Sequence, residues 1–196
     1  MASSNSFRTI LVEVVSIVIG VLVALGANEW NENRVHRERA DEAMLDIASE
    51  IVSNQKLLQH VHENNSRIVS ATLSKETSDD DNQFIPGLQI QDTAWKTMIA
   101  TGVAEHVEYD VLRLISAAYS FQDIYRELSY QMIQNFMSTS ALAASLNPEN
   151  PSDLPDGLFL ENMQLVVLTE EGLMTHYTAA IGMLENKGYL TDHSGE

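Results

Sequence analysis

Apolar residues follow three different rhythms along this chain. From Thr9 to Ala27 (TILVEVVSIVIGVLVALGA) there is no period at all: nearly every position is apolar or small, and Glu13 is the one charge. At about 1.5 Å rise per residue these 19 residues make a helix of roughly 28 Å, close to the roughly 30 Å hydrocarbon thickness of a bilayer. Val and Ile also suit a buried strand, but strands of compact domains do not run this long. A cleaved signal peptide is the rival reading, because Ala24-Leu25-Gly26 offers small residues at cleavage positions. The length of the run and the acid inside it favour a retained transmembrane helix.

The second rhythm begins after Trp30. No Pro or Gly interrupts the chain as far as Ser74, and Met44, Ile47, Ile51, Leu58, Val61 and Ile68 recur at heptad spacing, with Asn54 and Asn65 at positions of the same seam. The span is expected to continue outward as a stalk helix. Its seam either pairs with a second copy as a coiled coil or forms the buried face of a helix in the chain's own bundle. The helices that follow need a partner, which favours the bundle.

The third rhythm belongs to those helices. Asp92 suits the N-cap of a short helix carrying Trp95, Met98 and Ile99 and ended by Gly102. Asp110 opens a long helix to about Ser145, with Val111, Leu114, Ile115, Ala118, Phe121, Ile124, Tyr125 and Leu128 on a broad inward stripe. Tyr119, Tyr125 and Tyr130 on it read as core residues with hydroxyls reaching water. A last helix from Leu158 to Asn186 turns Leu165, Leu168, Leu173, Tyr177, Ile181 and Leu184 inward, and Lys187-Gly188 stops it. Period-two alternation is nowhere sustained. The fold class is therefore all-α: one N-terminal transmembrane helix continuing into a stalk and an antiparallel helical bundle. The divisions are a tail (1–8), the span (9–27), an interfacial segment and stalk (28–74), an acidic loop (75–91), the bundle (92–186) with a Pro-rich connection (147–157), and a C-terminal tail (187–196).

Within the span, Ser16, Gly20 and Ala24 recur every four residues and share a face, where small side chains let a neighbouring helix approach closely in lipid. Glu13 lies about one turn inside the boundary, where its carboxylate snorkels to the interface, takes a proton or meets a partner helix. Trp30 suits the headgroup region as a depth anchor, and Asn28, Asn31 and Asn33 begin the wet side.

Phe7 to Arg34, FRTILVEVVSIVIGVLVALGANEWNENR, resembles a bacterial family of single-pass membrane proteins with no assigned activity; the marks are an acid early in the span, the IVIGVLVAL core and the NEWNENR exit. Ala94 to Tyr125 looks like the same family's soluble segment, with a Trp, a Gly after a short helix, then Asp-Val-Leu and a later Tyr. The resemblance implies anchoring and a helical domain, and places the chain in the bacterial inner membrane.

Composition sharpens this picture by exclusion. Arg8, Arg34, Arg37 and Arg39 are cancelled by Glu13, Glu29, Glu32 and Glu38, so the net charge of −17 rests on the chain from residue 40 onward. Phosphate backbones and anionic lipid surfaces are bound by clustered bases, so nucleic acid is not an expected partner. With no Cys there is no thiolate metal site, thiol nucleophile or disulfide. Asp79, Asp80 and Asp81 lack the glycine and terminal glutamate of a calcium loop at the required offsets. No His has an acid three residues before it, so no di-iron signature is present. His60 and His62 diverge on a helix, and His36 follows Glu32 by four residues in a charged, solvated stretch. No nucleophile elbow or phosphate-cradling loop is found. No catalytic residue, metal ligand or cofactor is therefore assigned.

The expected function is that of a non-enzymatic, single-pass accessory or stabilising subunit of a larger membrane protein complex, of a respiratory, photosynthetic, transport or secretion type, with lipid and other subunits as its partners. The alternative is a self-associating anchored sensor or scaffold using the 44–72 seam, and an anchored enzyme comes third. Arg34, Arg37 and Arg39 after the span favour a cytoplasmic bundle, while Arg8 before it fits a signal anchor and a periplasmic one, so both sides stay open.

Overall fold

The computed structural model describes residues 3–74, 89–146 and 156–190, with side chains for 13–74, 89–141 and 160–190. Among them all regular structure is helical: α1 (Ser3–Ser74), α2 (Thr93–Ala100), a 3-10 turn (Val103–His106), α3 (Tyr109–Leu146) and α4 (Asp156–Asn186). Most of the acidic loop, the connection 147–155 and the tail from residue 191 lie outside the described residues, and with them Asp79, Asp80 and Asp81.

α1 is one helix of 72 residues, about 108 Å at 1.5 Å per residue. The absence of Pro, and of Gly after Gly26, explains why nothing breaks it. Its first part stands alone; contact with the bundle begins at half-buried Val35 and His36, and full burial at Ala40. Met44, Ile47, Ile51, Leu58 and Val61 are buried, Ile68 is half-buried, and Asn54 and Asn65 are buried on the same seam. The seam is thus occupied by the chain's own helices.

Helix direction follows from the bridging side chains. Gln55 reaches Thr178 and His62 reaches Glu170, so α4 runs antiparallel to α1; Tyr125 with Glu170 and Phe121 with His176 make it antiparallel to α3 as well. Glu50 with Tyr119 and, one turn on, Asn54 with Gln122 show that α1 and α3 run in the same direction. The segment Ile90-Gln91-Asp92 sits between these two parallel helices. Asn54 grips the Gln91 backbone from both sides, donating to its carbonyl at 2.7 Å and accepting from its N–H at 2.9 Å.

Helix ends are built by local chemistry. Asp92 stands at the N-cap of α2 but does not cap it; its carboxylate instead pairs with Lys96 at 2.8 Å and Arg126 at 3.1 Å. Glu50 of α1 accepts the first-turn N–H of Ala94 in its place, at 2.9 Å. Gly102 follows α2 in the left-handed region at φ +72°. α4 ends in a Schellman motif: Tyr189 N–H donates to the Leu184 carbonyl and Gly188 N–H to that of Glu185, which needs the φ of +81° at Gly188.

The inward stripes differ from their expected form in three places. On α3, Ile124 is 51% exposed, and on α4, Leu165 and Leu168 are 47% and 64% exposed. Met163, Val166, Glu170, Leu173, Tyr177, Ala180 and Leu184 form the buried stripe of α4, with Ile181 half-buried against the core. Tyr119 and Tyr125 are core residues, but their hydroxyls are buried against carboxylates; only Tyr130 is exposed.

Candidate functional site: an exposed span and two buried carboxylates

The residues assigned to the membrane lie on the lone part of α1. Glu13, Ser16, Gly20, Ala24 and Trp30 are all exposed, and a Cβ added at Gly20 would meet nothing within 4 Å. The most apolar 18-residue window of this helix has a mean hydropathy of 1.6, and none of it is buried. One helix among the described residues is thus long and apolar enough to cross a membrane. Beyond it the surface turns polar. Asn28 donates to Glu32 at 2.8 Å, Arg37 donates to the Asn33 carbonyl, and Arg34 lies 3.7 Å from Glu38. Glu32 is therefore engaged by Asn28, while His36 stacks on His106 of the 3-10 turn at 4.4 Å between ring centroids. Tyr189 donates to Asp41 and Lys187 pairs with Glu108, closing the same end of the bundle.

Two carboxylates are built into the core further along. Glu50 accepts from the Tyr119 hydroxyl at 2.6 Å and from the Ala94 amide, and Trp95 stacks on the Tyr119 ring at 5.1 Å. Burial first, and then the bond to Glu50, push the Tyr119 hydroxyl well above its ordinary pKa, so it stays a donor. Next to it Gln122 donates to the Gln91 carbonyl and accepts from Tyr177 at 2.6 Å. An open cleft of about 430 Å³ between α1 and α2 adjoins Glu50 and is lined by Asp46, Ser49, Ser53, Thr93 and Thr97.

Glu170 is the deeper of the two, with no exposed surface. Asn65 donates to it at 2.8 Å and Tyr125 at 3.0 Å, and His62 Nδ1 lies 3.2 Å from its other oxygen. The second nitrogen of His62 faces Ser66 at 3.3 Å and Glu171 at 3.9 Å. Burial raises the Glu170 pKa, and the three donors only partly oppose it. The arrangement joins α1, α3 and α4 through one carboxyl group, with the His62 ring beside it. Ser129, one turn beyond Tyr125, is buried with no hydrogen-bond partner for its hydroxyl among the described residues.

Neither carboxylate was singled out from the sequence. The signal for Glu170 was available, since 163, 166, 170, 173, 177, 180 and 184 step by three and four residues and put it on the seam. Read locally as Thr-Glu-Glu-Gly, it resembles a solvated surface.

No family model, curated protein or solved structure matches this chain.

Proposed function

We propose that this chain is a non-enzymatic, single-pass accessory subunit that stabilises a larger membrane protein assembly, anchored in the bacterial inner membrane by the first part of α1. One observation carries the reading: within one unbroken helix, Val14 to Leu25 are exposed on every side although nearly all are apolar, and partial burial begins only at Val35, full burial at Ala40. Leaving such a cylinder in water costs about 25 cal/mol per Å² of apolar surface, whereas lipid removes that cost. The resemblance of residues 7–34 to single-pass bacterial proteins supports the same anchor.

The small face of Ser16, Gly20 and Ala24 is the proposed contact with a neighbouring span, and Trp30 the depth marker. Self-association through the stalk has less support, because the residues it needs, Met44 through Val61, are covered by the chain's own helices. The proposed hosts are respiratory, photosynthetic, transport or secretion complexes.

Gentle solubilisation followed by sizing and identification tests the reading. The expected result is a heteromeric particle retained in alkali-washed membranes, lost on Gly20→Leu while the chain itself stays in the membrane. A chain released by lysis without detergent, or a particle containing only this chain, overturns it. Protease added to intact spheroplasts then fixes the side: a periplasmic bundle is digested and a cytoplasmic one is spared.

A further inference from the structure

Among the large apolar side chains of the bundle that are exposed, Ile124, Leu165 and Leu168 fall on one flank of the α3–α4 pair. Phe121 of α3 rests on α4 at Gly172, where an added Cβ would come within 2.8 Å of the ring, and it also meets His176 at 4.6 Å. Because the two helices are antiparallel, one and two turns onward along α3 bring Ile124 and Leu128 beside Leu168 and Leu165, one and two turns back along α4. α1 and α2 lie against the opposite flank of α3, through Tyr119 with Glu50 and Arg126 with Asp92. Among the described residues, this flank is an uncovered apolar strip. Such strips mark contact sites more often than chance exposure does.

The charges around the strip select what covers it. α4 carries no Lys or Arg from Asp156 to Asn186, while Glu161 and Glu171 are exposed beside Leu165 and Leu168, and Glu127 lies beside Leu128. Arg126, the one base on α3 beyond Arg113, is held by Asp92 and Asp123 on the other flank. A second copy of this flank would bring like charges together. The chain's own segment from Lys75 to Gly87 is also net acidic and would meet the same repulsion.

We infer that the α3–α4 flank at Ile124, Leu128, Leu165 and Leu168 docks an amphipathic helix of another protein, one with an apolar stripe bordered by Lys and Arg. The apolar stripe of the partner lies along Ile124, Leu128, Leu165 and Leu168, next to the Phe121–Gly172 contact, and the bordering cations face Glu127, Glu161 and Glu171. This rests on the accessory-subunit reading and names the chemistry of the subunit it contacts.

The test is a photo-crosslinking residue at position 168 of the full-length chain in native membranes, with a control at the outward Lys56 of α1. The expected product maps by mass spectrometry to a helical segment with apolar residues every three or four positions and flanking bases, and is absent from the control. Its yield falls at least fivefold in Glu161→Lys, Glu171→Lys, which is checked for unchanged helix content. A product with a second copy, with residues 75–87 of the same chain or with lipid, no product at all, or a yield indifferent to the charge reversal, each overturns the inference. If the chain still sediments in a heteromeric particle, only this surface has failed; if the particle is absent too, the accessory reading has failed with it.

Discussion

Between Val14 and Leu25, α1 presents Val, Ile and Leu all the way round, every one exposed; between Ala40 and Val69 it hides most of its large apolar residues along one stripe, leaving Leu45 out, and turns Glu42, Lys56 and Glu63 outward. Both halves are helical and both are rich in aliphatic side chains. What separates them is angular distribution: a stripe is satisfied by neighbouring helices, and a full circumference only by an apolar medium. The comparison also shows where sequence order stops mattering. In the first half no position has a neighbour within the chain, while in the second each buried residue has its own.

The same truncation in each half tests that contrast most strongly. Ile51→Ala is expected to destabilise the bundle by about 2–5 kcal/mol in urea unfolding, by lost transfer energy plus a cavity. Ile19→Ala should leave that unfolding within about 0.5 kcal/mol of the parent. A charge reverses the ranking. Leu22→Arg is expected to cost about 3 kcal/mol of membrane insertion, read as protein lost from alkali-washed membranes, with the bundle's unfolding midpoint unchanged. A smaller effect follows from Tyr125→Phe, which deletes one donor to the buried Glu170 and should cost about 1–3 kcal/mol.

The last prediction concerns pH. The pKa of Glu170 is raised in the fold, so its neutral form is the one the bundle favours. That contribution is complete below the ordinary carboxylate range and is lost as pH rises through the higher folded value. His62 of α1, Tyr125 of α3 and Glu171 of α4 are the titratable groups facing it. Glu170→Gln removes the loss, so its stability relative to the parent should grow as pH rises from the acid side. A difference that stays flat or shrinks would show that the carboxylate is favoured as an anion.

Much of this fold is legible in the sequence. The span announces itself by its lack of period, the stalk seam by its heptads, and the ends of α2 and α4 by Gly102 and Gly188, whose left-handed backbone suits few other residues. The orientation of α4 was harder. Leu165-Val166-Val167-Leu168 is apolar on all sides, so periodicity within it selects no face. The choice is made by what lies further along, where Leu173, Tyr177 and Leu184 enter the core and carry Glu170 with them. The tyrosine hydroxyls were misread for a related reason. A phenol on an inward stripe ordinarily finds water, and only the opposite helix supplies Glu50 or Glu170 as an acceptor.

The continuity of α1 has a mechanical consequence. With no glycine or proline between residues 27 and 74, the rod has no built-in joint between its apolar first part and the bundle. Twisting its free end would therefore swing the side chains that touch α4, and loosening α4 would send torque the other way. Movement at one end would thus be felt at the other through a shaft made of ordinary helix.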